Sequence, residues 1–463
     1  MDNTASSSLS IVILAAGLGT RMRSKVAKVL HPLAGKPLLA HVLEAARALH
    51  PRQILVVVGH QSETVKAALD APDLTWVEQN PPLGTGHAVA CAVAQMTDKS
   101  GELLVLNGDV PLIGSQDLTT LWKYHQERGN GVSLYTMHLT DPTGYGRLVR
   151  DEQNLPTAII EEKDADSKLR IIQEVNTGTW CFDLSLLPQW LARLGVNNAS
   201  GEFYLTDVLA LCRQAGLSVG ALCHQDPLSF AGVNSRVQLA ELEIALRDRI
   251  VLKLMKEGVT FQDPSSCWLS PDVVVGMDTV ILANVQLGPG VVIGEDCRIG
   301  PFCQIQNSTL GDGCIVEAFS HIDGARLAGP NQVGPFVRLR PASDLAAGVR
   351  VGNFCEVKKS RIGANSKINH LSYIGDATLG ERVNVGAGTI TCNYDGVHKH
   401  QTIIEDGVFI GSDTQLVAPV TVAAEAVVAA GTTITGNVPA GSLAISRVPQ
   451  RHIPEWHQRR QSR

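Results

Sequence analysis

From about residue 275 to residue 434, an aliphatic residue returns at every sixth position. Val275, Ile281, Leu287, Ile293, Ile299 and Ile305 form one run; Val333, Leu339, Leu345, Val351 and Val357 a second; Ile404, Ile410, Leu416, Val422, Val428 and Ile434 a third. Leu310, Val316 and Ile322, then Ile362, Ile368 and Ile374, carry the beat between them, with five-residue steps at the hand-overs. Helices repeat at 3.6 residues and half-buried strands at 2, so neither accounts for this pattern. A short strand followed by a corner does, and three such units predict one triangular coil. Stacked coils bury one continuous aliphatic column. A β-sandwich would show turn signals every ~8–12 residues, which this register lacks, so the second half is predicted to be a parallel β-helix.

The first half reads differently. Apolar runs at residues 10–16, 53–59 and 103–106 predict buried strands, and residues 79–86 a loop that opens a helix. Leu239, Leu242, Leu246, Ile250 and Leu254 recur three and four apart, as on one face of a helix, with Gly258 as a stop signal and Pro264 beyond it. The expected organisation is therefore an α/β domain over 1–234, a linker helix over 235–265 in a position to cap the first coil, and the solenoid over 266–463. Residues 451–463 are polar and basic without the beat, and are expected to be largely disordered unless they cover the last coil.

A chain of 463 residues with 44% hydrophobic composition has ample material for such cores. Its formal charge of −6 argues against a general nucleic-acid or membrane-surface binder. The apolar run at 11–16 is too short for a signal peptide or a membrane span, which points to a cytoplasmic protein. Ten cysteines without a CxxC pair, four of them (Cys297, Cys303, Cys314, Cys355) inside the repeat, read as reduced structural thiols.

Candidate chemistry begins at Gly17-Leu18-Gly19-Thr20-Arg21-Met22, a glycine-rich turn after the first strand. Free backbone amides and the Arg21 guanidinium suit an anion. Met22 stands where a dinucleotide fingerprint needs a third glycine, so an NAD site is disfavoured, and the Walker pattern is absent. Asp109, in Asn107-Gly108-Asp109 at the carboxyl end of a strand, is a hard-oxygen candidate for a metal ion. In the solenoid, Arg338, Arg340, Lys358, Lys359 and Arg361 bring five positive charges to an acidic chain, His370 and Tyr373 lie between beat positions, and residues 391–400 interrupt the beat.

The word LAAGLGTRM resembles the sugar-1-phosphate nucleotidylyltransferases. With NHLSY, GAGTITCNYDG and GSDTQLVAPV, nearly the whole chain resembles the bacterial bifunctional family that makes UDP-N-acetylglucosamine, acting as pyrophosphorylase and as glucosamine-1-phosphate N-acetyltransferase. The resemblance implies a Rossmann-like nucleotidylyltransferase domain, a connecting helix and a left-handed parallel β-helix of hexapeptide repeats, assembled as a homotrimer. It also implies acetyl-CoA and UTP as co-substrates, Mg²⁺ as cofactor, glucosamine-1-phosphate and N-acetylglucosamine-1-phosphate as the sugars, and neither nucleic acid nor membrane as partner.

Residue by residue, the resemblance assigns the UTP and UDP-sugar site to Leu14, Ala15, Ala16, Gly17, Lys28, Gln79, Gly84, Thr85, Asn107, Gly108, Asp109, Gly146, Glu161, Asn176 and Asn234. Arg21 and Lys28 would be catalytic, and Asp109 and Asn234 the metal ligands. Two positions depart from the family: Ala27 replaces the proline that most relatives carry before the lysine, and Asn107 a tyrosine found in some. The resemblance makes His370 the general base of acetyl transfer. It gives Arg340, Lys358, Tyr373 and Asn384 to the glucosamine phosphate, and Ala387, Asn393, Tyr394, Ser412, Ala430 and Arg447 to acetyl-CoA. Two other readings remain open from the residues: a single-activity nucleotidylyltransferase whose β-helix only trimerises, and a zinc hydratase using His321, His370 and His398.

Overall fold

The computed structural model describes residues 8–461. The chain divides into two compact units, Met1–Leu246 and Arg247–Arg463.

The first unit is built on a nine-stranded sheet. Strands Gln53–Val58 and Glu102–Asn107 flank Leu9–Ala15 in parallel, and Leu74–Glu78 extends the edge beyond Gln53–Val58. On the other side Glu174–Asp183 runs antiparallel to Glu102–Asn107 and to Val132–His138, with Val219–His224 outermost. The first strand is apolar on both faces because both are covered. Ile11, Ile13 and Ala15 join one core with Leu39, Val42, Leu118 and Leu121 from helices Leu38–Arg47 and Ser115–Arg128. Val12 joins the other, with Val89 and Ala92 of helix Thr85–Gln95 and Val208 and Leu209 of Asp207–Gln214. The register Leu14↔Asn107 sets the carboxyl ends of the two central strands side by side, so the glycine loop and Asp109 emerge from one edge.

The second unit is a prism of three parallel sheets, of eleven, ten and nine strands. Pairs such as Val275↔Ile293, Ile281↔Ile299 and Leu287↔Ile305 show the eighteen-residue coil that three six-residue units make. The five-residue step from Ile305 to Leu310 shortens a coil by one, giving Ile293↔Leu310. Every beat position named above is buried, in one cluster that also takes in Cys267, Cys297, Cys303, Cys314 and Cys355. The interruption lengthens one coil, so that Val385 pairs with Ile410.

Helix Arg236–Lys256 spans the division between the units. Its Leu242 belongs to a cluster with Met22, Leu33, Leu38 and Val233 in the first unit; within the second, Val251 and Leu254 belong to the solenoid core. At the other end Trp456–Gln461 forms a short helix with no buried residue, and the last two tail residues lie outside the described ones. Among the described residues, no helix is long and apolar enough to cross a membrane.

One corner of the prism carries a second ladder, on the outside. Phe302, Phe319, Phe336 and Phe354 occupy it on successive coils with rings stacked 5.0, 5.0 and 5.2 Å apart. All four have a left-handed backbone, φ 56–59°, which disfavours bulky side chains. Ring stacking offsets the strain, at ~0.5–1.5 kcal/mol per pair. Leu371 continues the ladder, its amide bonded to the Asn353 carbonyl one coil below.

Candidate active sites

In the first unit the glycine loop turns through Gly19, φ 59°, into the short turn Thr20–Met22, which buries Met22. A side chain on Gly19 would strike the β-carbon of Lys28, so the loop closes on that lysine only as glycine. Lys28 opens the turn Lys28–Leu30. Its ammonium forms an ion pair with Asp109 Oδ2 and lies 3.2 Å from Asn234 Oδ1. The two hard oxygens proposed from the resemblance as metal ligands thus converge on one cation. Asn234 is held by its own backbone amide, which donates to Gln238 Oε1 at 2.8 Å, and the Asp109 carbonyl accepts from the Val233 amide at 2.9 Å.

Around this cluster lie two adjoining cavities. One, of about 520 Å³, is lined by Leu14, Ala15, Ala16, Gly17, Gln79, Gly84 and Thr85. The other, of about 260 Å³, is lined by Gly146, Glu161, Asn176, Tyr145 and Thr206. Arg21, Lys28, Asn107, Asp109 and Asn234 line the first, and all of these but Lys28 also line the second. Arg21 is exposed and makes no ion pair among the described residues, so its guanidinium is available to an anion. Gly108 stands behind the cavities: it is buried, and its amide donates to the Leu14 carbonyl at 2.9 Å.

Burial raises the Glu161 carboxyl above the usual range, with Asp164, Asp207 and Glu202 adding to the effect and a hydrogen bond from the Thr206 hydroxyl at 3.2 Å opposing it. Burial likewise raises the Tyr145 phenol. Asn107 faces Gly178, which has no room for a side chain against the Asn107 amide. Gln238 and Thr206 escaped sequence reasoning because no motif marks them; only the fold brings them to these cavities.

In the second unit the same corner that carries the phenylalanine ladder changes character at His370. The amide of Gly388 bonds the His370 carbonyl, that of Asp413 the Ala387 carbonyl at 2.7 Å, and that of Gly431 the Ser412 carbonyl at 2.8 Å. His370, Ala387 and Ser412 therefore stand one above another, with Ala430 next, and the Arg447 stem passes within 3.5 Å of where a Gly431 side chain would begin. The adjacent ladder position, filled by Phe354 and Leu371 below, becomes Gly388, Asp413 and Gly431 above. With glycine at 388 and 431, the exposed corner carries no bulky ring on the coils above the imidazole. His370 Nδ1 lies 2.9 Å from Asn353 Oδ1, an acceptor, so Nδ1 carries a hydrogen and in the neutral ring Nε2 is the bare nitrogen.

The positive residues gather at the other end of the same sheet's strands. Arg340 pairs with Glu356 at 2.9 Å. Lys399 lies beside Lys358 and, together with partial burial and the charge of Arg340, holds its ammonium below the usual lysine range. Asn393 Nδ2 donates to Asp376 Oδ2 at 2.6 Å, and Lys359 pairs with the same carboxylate at 3.5 Å. Asn393 and Tyr394 thus belong to this cluster, while Ala387 precedes the opposite end of strand Ile390–Cys392. Tyr373 lies on the ten-stranded sheet and Asn384 on the eleven-stranded one, so one prism presents them on different faces. Lys399 was missed because it falls within the loop that broke the pattern. His321, His370 and His398 form no metal cluster: among the described residues, no three His, Cys, Asp or Glu side chains converge in that way.

Comparison with known proteins agrees with this division. Residues 11–164 match the MobA-like NTP transferase domain, 269–352 the GMPPB C-terminal domain, and 401–436 the hexapeptide repeat of succinyl-transferase. The chain is 48% identical over 450 residues to the bifunctional protein GlmU of Marinobacter nauticus, covering 97% of this chain and 98% of that protein. It is 49% identical over 449 residues to that of Pseudomonas putida, with the same coverage. To that of Heliobacterium modesticaldum it is 50% identical over 437 residues, covering 94% and 95%. The chain belongs to the family of the bifunctional GlmU proteins, and is a transferase that joins a nucleotidyltransferase domain to a left-handed β-helix of the hexapeptide acyltransferase kind.

Proposed function

We propose that the two units carry successive steps of UDP-N-acetylglucosamine synthesis in the cytoplasm. In the first, the amine of glucosamine-1-phosphate attacks the thioester carbonyl of acetyl-CoA. His370 Nε2 takes the ammonium proton as the C–N bond forms, and the thiolate of CoA leaves as the tetrahedral intermediate collapses. Asn353 keeps the other ring nitrogen protonated, and the Ser412 hydroxyl is placed to donate to the developing oxyanion. Arg340, Lys358 and Lys399 neutralise the sugar phosphate, with Tyr373 and Asn384 on the sugar. The corner past Ala387, Ser412, Ala430 and Arg447 receives the extended arm of acetyl-CoA, with Asn393 and Tyr394 contributing from the loop.

In the second step a phosphate oxygen of N-acetylglucosamine-1-phosphate attacks the α-phosphorus of UTP and pyrophosphate leaves, so no covalent enzyme intermediate is needed. The glycine loop, Gln79, Gly84 and Thr85 hold the nucleotide, and Gly146, Glu161 and Asn176 hold the sugar. Arg21 and Lys28 neutralise the phosphates. Asp109 and Asn234 offer the hard oxygens that suit Mg²⁺, an ion that supplies further charge neutralisation when bound.

A homotrimer accounts for the split acetyltransferase residues. His370 precedes strand Tyr373–Gly375, whereas Lys358 closes the paired strand Glu356–Lys358 and Arg340 follows Arg338–Leu339, so His370 and the basic cluster lie toward opposite ends of adjacent strands. A site closes when the basic end of one copy faces the His370 corner of another.

The reading rests on the column His370, Ala387, Ser412 and Ala430, because it gives the solenoid a reactive surface that a scaffold would not need. The test is to incubate the purified chain with glucosamine-1-phosphate, acetyl-CoA, UTP and Mg²⁺ and follow CoA and pyrophosphate together. Omitting acetyl-CoA should stop both; a complete mixture that releases no CoA from acetyl-CoA would leave a nucleotidyltransferase alone.

A further inference from the structure

We propose that His87 is a positioning residue for base selection: it holds the Gln79 carboxamide with its oxygen toward the nucleotide cleft, so that the site takes uracil and rejects cytosine. The proposal rests on reading that cleft as a UTP site.

Gln79 follows strand Leu74–Glu78, and its backbone amide donates to the Val58 carbonyl at 2.8 Å. It is only 4% exposed, yet it lines the larger cavity. Its side-chain nitrogen lies 2.9 Å from the Gly84 carbonyl oxygen. A carbonyl can only accept, so the amide atom facing it must be nitrogen; the flipped carboxamide would set two oxygens against each other. The same nitrogen lies 3.1 Å from His87 Nδ1. A carboxamide nitrogen can only donate, so Nδ1 must be the bare nitrogen of the ring and Nε2 must carry the hydrogen. Nε2 lies 3.6 Å from Cys91 Sγ, one helical turn on, where that hydrogen finds a weak acceptor.

Both hydrogens of the amide are thereby committed. Oε1 accepts from nothing among the described residues, and is the atom that Gln79 can offer a ligand. Uracil presents a donor at N3 and cytosine an acceptor, so an oxygen at this position favours the first and opposes the second. The backbone that carries the ring is anchored. His87 belongs to helix Thr85–Gln95, whose first turn is tied down by Gly86 N to the Phe203 carbonyl at 2.8 Å and by Leu205 N to Thr85 Oγ1 at 3.1 Å. Gly84, φ 107°, lets the chain turn so that its carbonyl points back at the amide.

The test compares UTP with CTP as substrate for the full-length chain and for His87→Ala and His87→Asn, reading pyrophosphate release. Asparagine places an acceptor oxygen near the position of Nδ1. His87→Ala is expected to lower the UTP-over-CTP ratio of kcat/KM by about tenfold or more, chiefly through KM for UTP, and His87→Asn to restore it to within about threefold of the original. Release of CoA by the same preparations should be unchanged, which establishes that the chains are folded. A His87→Ala chain that keeps the original ratio overturns the proposal whether or not its turnover falls, as does a His87→Asn chain no better than His87→Ala. If the unaltered chain releases no pyrophosphate from UTP, the reading of the cleft fails before His87 is in question.

Discussion

Asn353 lies one coil below His370, and its side-chain oxygen accepts the Nδ1 hydrogen of that imidazole at 2.9 Å. The contact selects the tautomer whose Nε2 is free to take a proton. Replacing Asn353 with alanine should lower kcat for acetyl transfer about tenfold to a hundredfold, the usual effect of removing an orienting partner. KM should change little and pyrophosphate release not at all. An unchanged kcat, measured by CoA release, would show the contact to be incidental.

Lys28 and His370 belong to different units. Lys28→Ala should cut uridylyl transfer by at least about a hundredfold, as loss of a charge at the reacting phosphates does, and leave acetyl transfer intact. His370→Ala should do the reverse. Assaying both reactions on each folded variant decides the matter, and loss of both activities in either one rules out two separate sites.

Gly388 takes the corner position that Phe302, Phe319, Phe336 and Phe354 fill on lower coils. Its φ of 77° resembles theirs, and an added β-carbon would approach nothing closer than 3.6 Å. Gly388→Phe should therefore fold and extend the ladder along that corner. KM for acetyl-CoA should rise by more than about tenfold, corresponding to roughly 1.4 kcal/mol of lost binding. Acetyl transfer at the original KM would place the acetyl-CoA arm elsewhere.

Ala27 has φ −55° and ψ 138°, within the range proline imposes, and its amide makes no hydrogen bond among the described residues. The departure from the family pattern leaves the backbone where proline would put it. Ala27→Pro should then stabilise the first unit by about 0.4–1 kcal/mol by restricting the unfolded chain, with uridylyl transfer retained. Thermal unfolding monitored with that activity tests this; a lower melting temperature would mean that Val26 cannot accommodate the ring.

Glu161 is held above the usual carboxylate range, first by burial. Over the interval between its unfolded and folded values, the folded chain binds more of this proton than the unfolded one, so the contribution of Glu161 to stability falls as pH rises through that interval. Above it, ionised Glu161 remains a fixed liability. Glu161→Gln should relieve it, making the first unit more resistant to urea at pH 8 than the unaltered chain, with a smaller difference at pH 5. Affinity for N-acetylglucosamine-1-phosphate should fall at the same time. A urea midpoint that does not move at pH 8 would contradict the burial argument.

The six-residue beat determined the solenoid by itself, because each aliphatic side chain has only its neighbours on the next coils to pack against, and a repeated local rule needs no long-range information. Residues 10–16 likewise announced a strand buried on both faces, and the leucines of 239–254 a helix. What the beat did not contain was chemistry. Asp109 and Asn234 stand far apart in sequence, and only the parallel register of the central strands and the turn before helix Arg236–Lys256 bring their oxygens to one ammonium. His370, Ala387, Ser412 and Ala430 are separated by a seventeen-residue coil, one lengthened by an inserted loop, and a third of eighteen; only coil stacking sets them on one corner. Asn353 and Gln238 belong to no motif, and His87 and Lys399, though they lie in the loop-to-helix segment after Gln79 and in the loop that breaks the beat, read along the chain as a structural residue and as loop sequence without a role of their own, since a hydrogen-bond partner is chosen by position and orientation in space, which the fold alone supplies.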